Sequence, residues 1–152
     1  MRHCKMIWGV LLVAMLAMGL TACVDERGYT TDPQYKLSFS SDTIAFDTLF
    51  TEVSSATSSF LIYNRHKSDL RISEVQLSGG SDSPFRVNVD GMAGVAFRDV
   101  TLRGGDSMYV FVEVTVDPRG NDEPFEVRDS LRFVLESGAE QHVQLNAWGQ
   151  DA

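Results

Sequence analysis

Apolar and polar residues alternate along most of the chain after residue 35, and this alternation predicts β-strands. The clearest run is residues 108–116, in which every second residue is apolar. A period of two places one set of side chains on a buried face and the other set on an outer face. Shorter runs with the same period lie at residues 60–63, 131–135 and 143–147. No stretch has apolar residues at helical spacing over several turns, so the pattern predicts an all-β fold.

Two irregularities interrupt the alternation. The first predicted strand is broken at residues 40–42, where serine and aspartate separate two apolar pairs. The run at residues 70–77 changes phase at Ser73-Glu74, which predicts a β-bulge. Turn residues separate the remaining runs, and their spacing indicates seven or eight short strands. We therefore predict an immunoglobulin-like antiparallel β-sandwich over residues 35–152.

The first residues have the features of a targeting segment. Arg2 and Lys5 precede an uncharged apolar run at residues 6–20, which is short for a membrane span. The run ends in Leu-Thr-Ala-Cys, residues 20–23, and this resembles a bacterial lipoprotein signal peptide. The resemblance implies cleavage after residue 22 and acylation of Cys23, which would anchor the protein to a membrane without a spanning segment. The alternative is an ordinary secretory signal with an incidental cysteine.

Residues 23–34 are small and polar, which predicts a flexible acylated tether. Asp25 and Glu26 follow the cysteine closely, and this pair resembles the surface-export signal of lipoproteins in the Bacteroidota. The resemblance implies an outer-membrane lipoprotein on the cell surface. If the pair is only part of a solvated tether, the anchor would face the periplasm.

Several short motifs follow one another in an order that resembles the immunoglobulin-like modules of the abnormal-spindle/Hydin family. They are Leu-Ser-Phe-Ser at 37–40, Phe-Leu-Ile-Tyr-Asn at 60–64, Leu-Arg-Gly-Gly-Asp-Ser at 102–107 and Val-Gln-Leu-Asn-Ala-Trp-Gly at 143–149. The resemblance implies a module that scaffolds, tethers or recognises other proteins and rarely catalyses. Bacterial lipoproteins of this shape often carry the sandwich ahead of a larger domain, sometimes a right-handed β-helix.

Composition narrows the possible partners and chemistry. The net charge of −8 argues against nucleic acid, and two cysteines exclude a disulfide-rich scaffold or a multi-cysteine zinc site. The sequence contains no nucleophile elbow, zinc-protease motif or phosphate-binding loop, so we expect neither a cofactor nor enzymatic activity. One acidic loop offers a weak calcium site, although Arg119 works against it. Its candidate ligands are Asp117, Asn121, Asp122 and Glu123.

The face opposite the valines of residues 108–116 offers a candidate interaction surface. It would carry Tyr109 and Phe111, with Tyr63 and Trp148 from other strands nearby. Loops could instead cover these side chains, or Phe111 could belong to the core.

Three functions remain open at this point. The first is a non-catalytic outer-membrane lipoprotein that displays the sandwich as an interaction or scaffolding module, with a protein or glycan partner. The second is the tethering front part of a larger glycan-handling surface protein. The third is a periplasmic assembly factor that adds a strand from a client to an exposed sheet edge.

Overall fold

The computed structural model describes residues 28–51, 55–120 and 123–151. The predicted signal peptide, Cys23 and the acidic pair behind it lie outside the described residues. Two of the candidate calcium ligands, Asn121 and Asp122, lie outside them as well. The three described segments form ten strands and one short 3-10 turn, Gly80–Asp82. The strands are β1 Ser38–Phe39, β2 Thr43–Phe50, β3 Ser55–Tyr63, β4 Leu70–Leu77, β5 Phe85–Val89, β6 Met92–Gly94, β7 Ala96–Leu102, β8 Ser107–Thr115, β9 Phe125–Leu135 and β10 Glu140–Gln150.

The strands form two five-stranded sheets that pack face to face. The front sheet has the order β1-β3-β8-β5-β6, and the back sheet has the order β2-β10-β9-β4-β7. Neighbouring strands are antiparallel except β2 and β10, which pair in parallel. The prediction of an all-β immunoglobulin-like sandwich is confirmed. The strand count is higher than seven or eight because the divided first strand counts twice and β6 is an extra strand of three residues.

The predicted break in the first strand is a change of sheet. β1 pairs with β3 in the front sheet, whereas β2 pairs with β10 in the back sheet. Ser40 holds the crossing segment to β3, because its backbone N–H donates to the Leu61 carbonyl and its Oγ accepts from the Leu61 N–H. One continuous segment therefore closes the same side of both sheets.

The predicted bulge in β4 is also confirmed. The pairing of β4 with β9 changes register between Ile72 and Glu74. The hydroxyl of Ser73 donates to the carbonyl oxygen of Val134 across the two strands. The extra residue lets Ile72 and Val75 both face the core although their spacing is odd.

The core lies between the sheets and combines the predicted alternating residues with buried residues of β5 and β7, such as Phe85 and Phe97. Its aromatic centre joins Phe39, Phe60 and Phe133, whose ring centroids lie 5.2–6.4 Å apart. Val110, Val112 and Val114 of β8 are fully buried. Full burial of such side chains contributes about 1.5–3 kcal/mol each, so this single core is the main stabilising feature of the sandwich.

The sandwich has two distinct ends. The tether end carries the loops at residues 64–69, 103–106 and 136–139, and the far end carries the loop at 78–84 and the described residues 116–120 and 123–124. Tyr29 forms a parallel bridge with Asp69 at the tether end, whereas the described chain finishes near the far end. Tyr29 and Thr30 therefore pair with the sandwich, and the flexible tether up to residue 34 stays a prediction.

In the described segments, no helix has the length and apolar character that crossing a membrane requires.

Candidate interaction surface

Two aromatic side chains stand on the outer face of the front sheet. Tyr109 is 56% exposed and Phe111 is 45% exposed, and both project from β8 opposite its buried valines. Their rings are stacked, with centroids 5.8 Å apart and an interplanar angle of 25°. The alternative that Phe111 belongs to the core is therefore wrong.

Strand pairing extends this aromatic pair into a wider face. Leu61 lies opposite Tyr109, and Phe111 lies between Ser59 on β3 and Asn88 on β5. Tyr63 is half-buried at the end of β3, where the Arg65 guanidinium lies 4.9 Å from its ring centroid. We call Leu61, Tyr63, Tyr109 and Phe111 the aromatic face. It is a continuous strip across two strands with small polar residues beside it.

Trp148 does not belong to this face. It lies on β10 in the back sheet, opposite Glu126 of β9. Its side chain is 43% exposed on the opposite surface of the sandwich. The structure therefore brings three of the four predicted residues onto one sheet and places Trp148 on the other.

A groove of about 510 Å³ adjoins Phe111 on the same sheet. The β5–β6 hairpin forms one side of it, and Thr57, Asn88 and Glu113 contribute polar groups. Arg86 also lines the groove, but its guanidinium donates to the carbonyl oxygens of Ser81, Ser83 and Phe85 and is fixed by them. The groove thus combines one aromatic wall with hydroxyl, amide and carboxylate groups. The sequence pattern does not indicate this groove, because it predicts no strand at residues 85–94, which form the β5–β6 hairpin.

In the described part of the candidate calcium loop, two backbone N–H groups bind a carboxylate from outside the loop. The backbone N–H groups of Arg119 and Gly120 donate to the carboxylate of Asp151. Asp117 lines a polar cavity of about 640 Å³ together with Arg119 and Arg128. Within the described segments, no three His, Cys, Asp or Glu side chains are grouped closely enough to hold a metal ion. The site that includes Asn121 and Asp122 stays a prediction.

The outer face of the back sheet is dominated by ion pairs. Arg132 pairs with Glu140, and this guanidinium holds the pKa of the Glu140 carboxyl below its ordinary value. Arg128 lies 2.6 Å from Glu126 and lowers the pKa of that carboxyl. Asn146 donates a further hydrogen bond to Glu126. These shifts arise in solvent-exposed pairs, which are a common structural arrangement on sheet surfaces.

The four sheet edges differ in how well they are protected. β1 and β6 are only two and three residues long. β7 carries Arg98 and Asp99, and Asp99 has a positive φ of 55°. β2 is eight residues long and has Asp47 as its one charged residue. Among the described strands β2 is therefore the long edge with the fewest features that prevent pairing with another strand.

Comparisons with known proteins support the fold only. A protein of unknown function from Porphyromonas gingivalis W83 is 14% identical with a TM-score of 0.53, and the match covers 73% of this chain and 45% of that one. A family 123 glycoside hydrolase from Clostridium perfringens is 8% identical with a TM-score of 0.51, over 77% of this chain and 27% of the hydrolase. The PapD-like domain 7 of human CEP192 is 18% identical with a TM-score of 0.46, over 81% of this chain and 89% of that domain.

The chain spans less than half the length of the first two of these proteins. No protein-family model matches the chain, and no curated protein matches it by sequence. The two-sheet topology, with one strand divided between the sheets, defines an immunoglobulin-like β-sandwich. At these identities the likeness concerns the fold alone.

Proposed function

We propose that the protein is a non-catalytic, lipid-anchored interaction module of the bacterial outer membrane. The observation that carries this proposal is the stacked, exposed pair of Tyr109 and Phe111 beside a groove on the front sheet. Aromatic side chains are enriched in the cores of protein interfaces, where each removes a large apolar area from water. A partner that covers this pair would gain apolar burial and find polar groups for orientation in the groove.

The groove itself favours binding over catalysis. Glu113 is its one carboxylate, and the Arg86 guanidinium is engaged by backbone carbonyls. No histidine or cysteine lines it. A nucleophile with an adjacent base is the usual requirement for hydrolytic chemistry, and the residues that line this groove do not provide that pair.

The anchor and its location rest on the sequence. Acylation of Cys23 would hold the protein at the outer membrane, and the acidic residues that follow support export to the cell surface. In this proposal the partner is a protein or a glycan of the cell envelope or its surroundings. Neither nucleic acid nor a cofactor takes part.

A second candidate function is a spacer that tethers a larger glycan-handling domain. Tyr29 and Asp151 lie at opposite ends of the sandwich. The 11 residues of β9 span roughly 36 Å at about 3.3 Å per residue. A domain that followed residue 152 would be held at about that distance from the anchored end. Sequencing of the gene beyond codon 152 tests this candidate.

A third candidate is an assembly factor that binds an extended segment of a client. The edge of β2 supports it, because unpaired backbone groups along a long, nearly uncharged strand can pair with another strand. Lysine substitutions at Ala45 and Thr48, two exposed residues of this strand, would weaken client binding if this edge were the site. They would leave binding unchanged if the aromatic face were the site.

The anchor is tested with a Cys23→Ala variant. We expect the wild-type protein in the membrane fraction with an acylated Cys23 by intact mass, and the variant in the soluble fraction or unprocessed. Protease treatment of intact cells then locates the domain, after purified protein has been shown to be cleavable. Unchanged membrane association of Cys23→Ala would contradict the lipoprotein proposal. Protection in intact cells with cleavage after lysis would move the proposed location to the periplasmic face.

The binding surface is tested with a Tyr109→Ser, Phe111→Ser double variant. Trp148→Ser is the matched control, because it removes an aromatic ring of similar exposure from the opposite sheet. Loss of envelope partners in the double variant, and their retention in the control, is the expected result. Equal retention in both variants would contradict a role for the aromatic face.

A further inference from the structure

The tether end differs from the rest of the surface in composition. Three of the four tyrosines of the chain and both lysines that follow Cys23 lie there. Lysine and tyrosine side chains have an apolar body and a polar tip, which suits the boundary between a lipid headgroup layer and water. These residues are Tyr29, Tyr35, Tyr63, Lys36 and Lys67.

Direct contacts bring these residues together around the loop at 64–69. The His66 ring packs edge-on against Tyr35, with centroids 4.7 Å apart, and its Nε2 lies 3.1 Å from the carbonyl oxygen of Lys36. Gly104 lies so close to the Lys67 carbonyl that a Cβ would be 2.1 Å from its oxygen. The N-terminal segment and two loops therefore form one compact surface.

The tether end carries four exposed cations. Lys36, Arg65, Lys67 and Arg103 are all exposed. Three carboxylates of this end accept from backbone N–H groups, Asp32 from Gln34, Asp69 from Gly104 and Asp106 from Ser107, and Glu136 is a fourth, exposed carboxylate. These carboxylates balance much of the positive charge of this end, while most of the acidic excess of the chain lies elsewhere. An anionic surface would therefore repel the tether end less than the rest of the domain. This difference in repulsion would turn the tether end toward the surface.

The N-terminal segment is fastened to this end. Thr30 donates its backbone N–H to the carbonyl of Asp69, and the Arg71 guanidinium lies 5.4 Å from the centroid of the Tyr29 ring. Only residues 24–28 separate Cys23 from the fastened Tyr29. At about 3.3–3.6 Å per residue, this segment reaches roughly 20 Å at most.

We propose that the tether end of the sandwich rests on the headgroup layer of an anionic membrane. Tyr29 and Tyr35 lie at the interface, and the lysines and arginines of this end contact lipid phosphates. This inference rests on the proposed acylation of Cys23. It orients the strands along the membrane normal, so that the aromatic face is reachable from the side and the far end points away from the lipid.

The two lysines serve as reporters, because no other lysine follows Cys23. The acylated full-length protein is inserted from outside into preformed vesicles of phosphatidylethanolamine and phosphatidylglycerol. It is then treated with an amine-reactive label, and the labelling rates of Lys36 and Lys67 are measured by peptide mass spectrometry. An Arg98→Lys variant supplies a reference amine on β7, outside the tether end. The Cys23→Ala protein in solution gives the unprotected rates.

We expect Lys36 and Lys67 to label at least about fivefold more slowly on vesicles than in solution, and the lysine introduced by Arg98→Lys to label at an unchanged rate. An Arg65→Glu, Arg103→Glu variant should remove the protection without removing either reporter. Arg98→Glu with Arg128→Glu, which changes the charge equally elsewhere, should keep it.

The inference would be overturned if the acylated protein were bound to vesicles while both lysines labelled as fast as in solution. Protection that occurs in cells but not on vesicles would also overturn it, because a protein partner would then cover this end. Absence of the acyl group by intact mass would instead contradict the proposed lipoprotein function, so the two failures are distinguishable.

Discussion

The two sheets have the same kind of inner face and opposite kinds of outer face. On the back sheet, long charged side chains pair with each other, as Arg132 does with Glu140 and Arg128 with Glu126. On the front sheet, Tyr109 and Phe111 stack on each other and remain about half exposed. A polar face of paired charges is stable in water, whereas covering exposed aromatic rings with a partner lowers the free energy. We infer that stability resides between the sheets, and we propose that recognition takes place on the front sheet.

The largest expected difference in the free energy of unfolding is between a substitution in the core and one on the aromatic face. Phe133→Ala should lower the free energy of unfolding by about 3–5 kcal/mol, because this fully buried ring packs against two other core rings. Phe111→Ala should cost less than about 1 kcal/mol, which is the range of a cross-strand contact. Urea unfolding of both variants measures the difference. Similar losses in the two variants would show that Phe111 contributes to the core.

A smaller difference in stability is expected between substitutions of two asparagines. Asn64 is 1% exposed and donates to the carbonyls of Ser68 and Leu102. Asn64→Ala should cost about 2–3 kcal/mol, because buried carbonyl groups lose their partners. Asn146 lies on the back face and donates to Glu126, so Asn146→Ala should cost only about 0.5–1.5 kcal/mol. If Asn146→Ala proved the more damaging in thermal unfolding, the back face would carry more stability than we infer.

The back face should also give a small dependence of stability on pH. The pKa of the Glu140 carboxyl is lowered from its ordinary value of 4.5 by its hydrogen bond to Arg132. A carboxyl whose folded pKa is depressed contributes stability above its unfolded pKa and loses it as the pH falls through the folded pKa. Glu140→Gln should therefore flatten the fall in melting temperature below about pH 4.5. A Glu113→Gln variant on the front sheet is the control, and an equal flattening there would argue against the ion pair as the cause.

The smallest expected effect concerns calcium. EDTA should leave the melting temperature unchanged, because the backbone N–H groups of Arg119 and Gly120 in the candidate loop already donate to the carboxylate of Asp151. Differential scanning fluorimetry with and without added calcium measures this. A clear drop with EDTA that calcium reverses would restore the predicted site at Asp117, Asn121, Asp122 and Glu123.

Local patterns predicted much of the sandwich. Alternation assigned the buried valines of β8 and the outward direction of Tyr109 and Phe111, and these assignments depend only on the period of a strand. Local sequence also indicated the break after β1 and the bulge at Ser73, whereas the change of sheet at that break is evident only from the strand pairing.

Long-range pairing and unusual backbone angles limited the prediction elsewhere. The alternation does not predict β7. Asp99 in this strand adopts a positive φ, and the buried residues Phe97 and Val100 are therefore three positions apart rather than two. The sheet that holds Trp148 depends on which strands pair, and the bridge between Tyr29 and Asp69 joins distant segments. Neither feature has a periodic signal along the chain.

Site-specific photo-crosslinking in intact cells tests the central claim most directly. A photoreactive phenylalanine analogue is placed at Phe111 on the front sheet or at Trp148 on the back sheet, in otherwise identical protein. We predict a discrete adduct of defined mass from position 111, lost in a Tyr109→Ser background, and none from position 148. Equal adducts from both positions, or adducts from position 148 alone, would contradict the claim that the aromatic face is the surface of recognition.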